Sequence, residues 1–182
     1  MLDDKRKSNL AFLLTRVLCE AEIAAPTLSE EETSYTARSL WPLINSELKK
    51  FSDFPLRVRG DGGDRSIPAS HLGEQFFPDL AVTLEGHGVD NHIWAVEVKF
   101  LRDDSRNNSI STALGQALLY RQRYLYTAVL FVDVSSYVPG EQPISQAELQ
   151  RLDDLTDSTI VVRRAMAGRL HRCEVRPLKP RS

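Results

Sequence analysis

Two cysteines in 182 residues, Cys19 and Cys173, are too few and too scattered for a disulfide framework or a zinc cluster. Both read as small packing residues, and a reducing, cytoplasmic compartment is the economical expectation. No run approaches the roughly 18–20 uninterrupted apolar residues of a membrane-spanning helix, so no membrane partner is expected. The opening Met1-Leu2-Asp3-Asp4-Lys5-Arg6-Lys7 leads into a mixed helix containing Thr15 and Arg16, a poor signal peptide. Internal repeats and low-complexity tracts are absent. Gly60-Asp61-Gly62-Gly63 lacks the lysine and the strand-to-helix setting of a phosphate-binding loop, and reads as a flexible loop through Ser66.

The chain has the length of one domain with a full core, expected over residues 1–182. Its 42% hydrophobic and 26% charged content is ordinary for a globular protein. A net charge of −2 is not that of a general nucleic-acid coat protein. The distribution is uneven. Residues 51–160 are strongly acidic, whereas residues 161–182 carry seven Lys or Arg against one acidic residue. Arg163, Arg164, Arg169, His171, Arg172, Arg176, Lys179 and Arg181 thus form a basic segment on an acidic body. It either grips phosphates, which makes binding salt-dependent, or is a solvated tail that balances the body's charge.

The most informative pattern is Pro78-Asp79, then seventeen residues, then Glu97-Val98-Lys99. Asp79 opens one alternating run, Leu80-Ala81-Val82-Thr83-Leu84. Glu97 and Lys99 close another, Ile93 to Phe100. The segment between them, 85–92, holds two glycines, Asp90 and Asn91, so an antiparallel hairpin is expected. Side chains alternate with period two. If Leu80, Val82 and Leu84 share a core with Trp94, Val96, Val98 and Phe100, then Asp79, Glu97 and Lys99 fall on the opposite face. Folding about Gly88 sets Asp79 across from Glu97, and folding about Val89 sets it across from Lys99. Either register gathers two carboxylates and an ammonium on one surface. Carboxylate oxygens are the ligands Mg²⁺ prefers. A divalent ion lowers the pKa of a water it binds, and a neighbouring lysine can orient that water or stabilise charge on a phosphate. The alternative is a strand-entry aspartate and a solvated Glu–Lys pair.

These residues resemble the PD-(D/E)xK nuclease superfamily, the restriction-endonuclease-like fold. The resemblance implies a Mg²⁺-dependent phosphodiesterase, most often an endonuclease acting on DNA, with Mn²⁺ able to substitute. It implies Asp79 and Glu97 as metal ligands, the Val98 carbonyl as a further one, and Lys99 as the residue that assists the attacking water. It also implies a helix after the ExK strand. The segment from about Ser109 to Tyr126 has an apolar stripe of Ile110, Ala113, Leu114, Ala117 and Leu118 at helical spacing. Gln116, Tyr120 and Arg123 share another face. Gly-Gln-Ala-Leu-Leu-Tyr at 115–120 is similar to the superfamily's pattern, in which Gln116 positions Lys99 or a phosphate and Tyr120 and Arg123 contact nucleic acid. An upstream helical carboxylate is implied too. Glu47 is the candidate, either turned inward beside the stripe Leu40, Leu43, Ile44, Leu48 and Phe51 or exposed. Arg163, Arg164, Arg169 and Arg172 are candidate phosphate contacts.

The rest of the chain adds a helix over 8–24 ended by Pro26, and a second helix entered through a Ser29–Glu32 capping box and broken or kinked at Pro42. Strands are expected at 56–59, 128–134, 159–162 and 173–175, with a capped helix at Ser145–Leu155. This order fits an α/β fold, a mixed sheet flanked by helices. By resemblance its core is α-β-β-β-α-β over about 40–135, with an extra N-terminal helix and extra C-terminal strand elements. Two other functions stand beside the nuclease. One is a catalytically silent nucleic-acid-binding or assembly module on the same fold, and the other is a plain interaction domain. Nothing in the sequence decides between monomer and homodimer.

Overall fold

The computed structural model describes residues 3–51, 54–86, 91–102, 105–145, 147–148, 151–152 and 158–175. A six-stranded mixed sheet organises them. Its strands are β1 (Leu56–Gly60), β4 (Leu80–Leu84), β5 (Asn91–Leu101), β6 (Tyr126–Asp133), β7 (Thr159–Met166) and β8 (Arg169–Val175), adjacent in that order. A separate two-stranded hairpin joins β2 (Ala69–His71) to β3 (Glu74–Phe76). β1, β4 and β5 form an antiparallel meander, β6 and β7 add in parallel, and β8 returns antiparallel. The observed architecture is therefore mixed α/β.

The alternation in β4 and β5 sorts the core. Leu80, Val82, Leu84, Trp94, Val96, Val98 and Phe100 share one hydrophobic cluster, as the period-two reading expects. Helix α1 (Asp4–Glu20) covers that face through Leu10, Leu14 and Leu18, one turn apart and all buried. Each such burial contributes about 1.5–3 kcal/mol. Asp3 caps α1, its carboxylate accepting from the Arg6 amide at 2.8 Å. Helix α4 (Arg106–Tyr120) covers the other face, packing Ala113, Leu114 and Ala117 against Val129 and Phe131. Every residue of β6 is buried, as expected for a central strand covered on both sides.

Several expectations shift. α4 begins and ends earlier than the 109–126 reading, and Leu118 faces solvent. The glycine stretch is a pinned turn. Gly60 N donates to Asp64 O at 2.6 Å and Asp61 N to Asp79 O at 2.9 Å. A Cβ on Gly60 would lie 2.1 Å from Asp79 O, and one on Gly63 would lie 2.6 Å from the Trp41 indole nitrogen. These glycines permit close approach between chain segments. The β2–β3 hairpin went unforeseen, because Ala69–Phe76 has little apolar alternation. Pro42 sits in the first turn of α3 (Trp41–Leu48), and a π-helical turn (Thr36–Leu40) joins that helix to α2 (Glu32–Tyr35). The helix is thus re-phased before the proline and restarted at it. Ser145 and Glu148 do form a reciprocal capping box. Cys19 is buried. The hairpin tip 87–90 and the side chains of Phe51, Arg172 and Cys173 lie outside what is described, as do Arg176, Lys179 and Arg181. Among the described residues no helix is long and apolar enough to cross a membrane.

Candidate functional site

β5 outruns β4. Their pairing stops at Leu80↔Val96, so among the described residues the edge of β5 beyond Val96 has no strand beside it there. Extending that register places Asp79 opposite Glu97, the arrangement of a hairpin centred on Gly88. The strand's edge amides still need acceptors, and two carboxylates supply them. Asp79 Oδ2 accepts from Val98 N at 2.7 Å, and Glu32 Oε1 accepts from Phe100 N at 2.7 Å. The carbonyl of Val98 points to the same edge as its amide, because both groups of one strand residue face one neighbour.

Glu97 and Lys99 lie on the α4 face of β5, as the alternation predicts. Glu97 is 1% exposed, and Lys99 Nζ lies 3.0 Å from its Oε1. The phenol of Tyr120 lies 2.7 Å from Glu97 Oε2 and 3.0 Å from Phe77 O, so its single proton serves the carboxylate foremost. Lys99 Nζ also reaches Glu32 Oε2 at 3.1 Å. The ammonium is thereby held between Glu32 and Glu97.

The electrostatics follow from burial and crowding. Burial and then the negative charge of Glu97 push the Asp79 carboxyl up to about 8, against smaller opposing effects from the Val98 amide and Lys99. Burial likewise raises Glu97, offset in part by Lys99 and Tyr120. Burial opposes the charge on Lys99, but Glu97, Glu32 and Asp79 together hold its ammonium above the ordinary range. Burial and the Glu97 charge keep the Tyr120 phenol protonated and donating. Asp79 lines a cavity of about 390 Å³ with Asp61, whose carboxyl burial also raises.

The remaining candidates fall elsewhere. Glu47 is on α3 and forms an ion pair with Lys50. The helical carboxylate that reaches Lys99 is Glu32. The sequence hid it, because Ser29–Glu32 looked like a capping box. In fact Glu31 is the residue before α2 and makes no side-chain cap, and Glu32 is committed to β5. Gln116 lies one turn before Tyr120, hence on the same helical face, and its Oε1 is buried without a hydrogen-bond partner among the described residues.

Tyr120 is fully buried, which corrects its expected role as a nucleic-acid contact. Arg123 is also engaged, donating to His92 Nε2 at 3.0 Å and Pro68 O at 2.9 Å near the start of β5. Together with Tyr124, whose hydroxyl donates to Ile67 O at 2.6 Å, it fastens the segment that leads to the hairpin.

Within the basic segment, Arg163 is structural. Arg163 is 4% exposed and donates to Leu18 O at 3.0 Å, Ala21 O at 2.7 Å and Leu170 O. It satisfies carbonyls at the end of α1 that the helix leaves unpaired. Arg164 lies 3.7 Å from Asp133, and Arg169 pairs with Glu22 at 2.6 Å. The alternation of β7 dictates the burial of Arg163, which falls on the same face as Val161 and Ala165. Its burial corrects the expectation that Arg163 faces phosphates, whereas Arg164 is partly exposed and Arg169 largely exposed.

No protein-family model matches this chain, and no curated protein matches it.

Among the described residues no three His, Cys, Asp or Glu side chains form a ready metal cage. The donor chemistry nonetheless suits Mg²⁺. Asp79 and Glu97 are hard oxygen ligands, and Asp79 Oδ1 takes no partner among the described residues. Burial and the Glu97 charge raise the Asp79 carboxyl, as expected of crowded carboxylates that Lys99 alone does not neutralise.

Proposed function

We propose that this chain is a Mg²⁺-dependent nuclease of the PD-(D/E)xK type that hydrolyses phosphodiester bonds, with DNA as the substrate. The observation that carries the reading is the meeting of Asp79, Glu97 and Lys99 where β5 runs past β4. The succession α3–β1–β4–β5–α4–β6, with the β2–β3 hairpin inserted after β1, supports the restriction-endonuclease-like form of the fold. Asp79, Glu97 and the Val98 carbonyl would hold the ion, which when bound supplies positive charge and activates water. Lys99 would orient the attacking water and stabilise charge developing on the phosphate. Glu32 steadies that ammonium, and Tyr120 fixes Glu97. Gln116 would position Lys99 or a phosphate.

A second reading is a catalytically silent nucleic-acid-binding module. It is favoured by one observation: both oxygens of Glu97 are already engaged, by Lys99 and Tyr120. The two readings part on incubation with linear, circular, single-stranded and branched DNA and with RNA, in Mg²⁺, Mn²⁺ or EDTA. Metal-dependent cleavage supports the nuclease. Binding without cleavage under every condition supports the silent module.

A further inference from the structure

The cavity beside Asp79 has a feature that the metal site leaves unused. Its walls are the pinned turn Gly60–Gly63 on one side and Phe77 and Pro78 on the other, and its volume is about 390 Å³. Arg65 stands at this cavity with its guanidinium carbon 3.7 Å from the centre of the Phe77 ring. Arg65 is exposed and forms no ion pair among the described residues. Other arginines of the same region are neutralised: Arg57 reaches Asp64 and Glu85, and Arg59 reaches Glu85. Stacking on the ring face leaves the donors of the exposed Arg65 fork unconsumed and available to an oxyanion. Phe77 is two residues before Asp79, which ties this cation to the reacting centre. The Phe77 carbonyl lies 3.0 Å from the Tyr120 hydroxyl, so the backbone under this ring borders the Glu97 site.

We infer that Arg65 is a substrate-binding residue: its guanidinium, laid on Phe77, grips a phosphate next to the one at Lys99, and the cavity seats a nucleotide of a single polynucleotide strand. The identity of the ligand rests on the nuclease reading. The cavity's shape selects the strandedness. A duplex keeps its bases stacked inside and offers only its backbone to a depression beside Asp79, leaving much of the volume unfilled. A single strand can turn a sugar and base into it while its backbone follows the basic group. Arg65 contacts no metal ligand directly, so its effect on binding is separable from metal loading.

The test uses the full chain in EDTA, where cleavage is blocked, with fluorescein-labelled oligothymidylate, the matching oligouridylate and a DNA hairpin duplex. Binding is followed by anisotropy over a salt series. Wild type is expected to bind a single strand more tightly than the duplex. Arg65→Ala should weaken single-strand binding by about tenfold, the scale of one charge-assisted contact, and lower the salt slope by about 0.7. Arg65→Lys should restore the slope but only part of the affinity, because the stacked fork is lost. Arg16→Ala, at a surface arginine of α1, should change neither. Unchanged affinity and slope in Arg65→Ala overturn the assignment even if the protein cleaves. Equal losses for duplex and single strand, with no preference between them, overturn the strandedness. Arg65-dependent binding with no cleavage in Mg²⁺ or Mn²⁺ supports Arg65 and removes the nuclease reading. Failure of wild type to bind any of the three probes overturns both. The deoxy and ribo probes distinguish DNA from RNA as the source of the phosphate.

Discussion

Glu32 Oε2 lies 3.1 Å from Lys99 Nζ, and its other oxygen accepts the Phe100 amide at 2.7 Å. One carboxylate from the short α2 thus steadies the ammonium and closes the open edge of β5. Glu32→Ala leaves a β5 amide and one side of a partly buried ammonium unpaired, so it should cost about 1–3 kcal/mol in urea unfolding. Glu32→Gln keeps an acceptor for Phe100 and should cost less, while still slowing cleavage. Glu47→Gln should match wild type in cleavage. If Glu32→Ala is as stable and as active as wild type, the contact is incidental.

Tyr120→Phe removes the donor to Glu97 and leaves the ring packed. Nucleic-acid affinity should stay within a few-fold, because the phenol is buried. Stability of the metal-free protein should fall by about 1–2 kcal/mol, and metal affinity should change because one Glu97 oxygen is released. Isothermal calorimetry with Mn²⁺ reads the second effect. A loss confined to nucleic-acid binding would return Tyr120 to the surface role expected from sequence.

Asp79 gives the metal-free protein a pH dependence of defined sign. Its folded pKa is raised from 3.8 to about 8. The folded state therefore binds a proton that the unfolded chain has released. This contribution to stability is fully present below about pH 4 and is lost as pH rises through about 8. In EDTA, the melting temperature should decline over this window in wild type and decline less in Asp79→Asn. Parallel curves for the two proteins would contradict the account.

Arg163→Ala should behave as a core mutation. It strands the Leu18 and Ala21 carbonyls at the end of α1 and should cost about 2–4 kcal/mol in chemical denaturation. Arg169→Ala, at an exposed pair with Glu22, should cost under about 1 kcal/mol. A salt-dependent loss of nucleic-acid binding with no loss of stability in Arg163→Ala would reverse this assignment.

The central hairpin was legible because period two is strict. Once Leu80, Val82 and Trp94 were assigned to the core, Glu97 and Lys99 had to share the other face. The register was not legible, since a turn of eight residues allows two centres. Glu32 was missed because a glutamate three residues after a serine has a sufficient local explanation, and its true partners are 67 and 68 positions away. Arg163 was misread for a related reason. A run of arginines suggests a surface, but in β7 alternate residues turn inward, and α1's unpaired carbonyls wait there. Asp61 carried no signal of its own, because its approach to Asp79 depends on Gly60 allowing two backbones to touch.

Single-turnover cleavage by wild type and Lys99→Ala, with saturating enzyme in Mg²⁺ or Mn²⁺, tests the central claim most directly. A lysine that acts on charge developing during attack matters to the rate more than to binding. Lys99→Ala should keep nucleic-acid affinity within a few-fold and cleave about a hundredfold more slowly, and Lys99→Arg should rescue poorly. EDTA should abolish cleavage by wild type. A wild type that cleaves nothing with either ion, or a Lys99→Ala protein that cleaves at the wild-type rate, would contradict a phosphodiesterase centre at Asp79, Glu97 and Lys99.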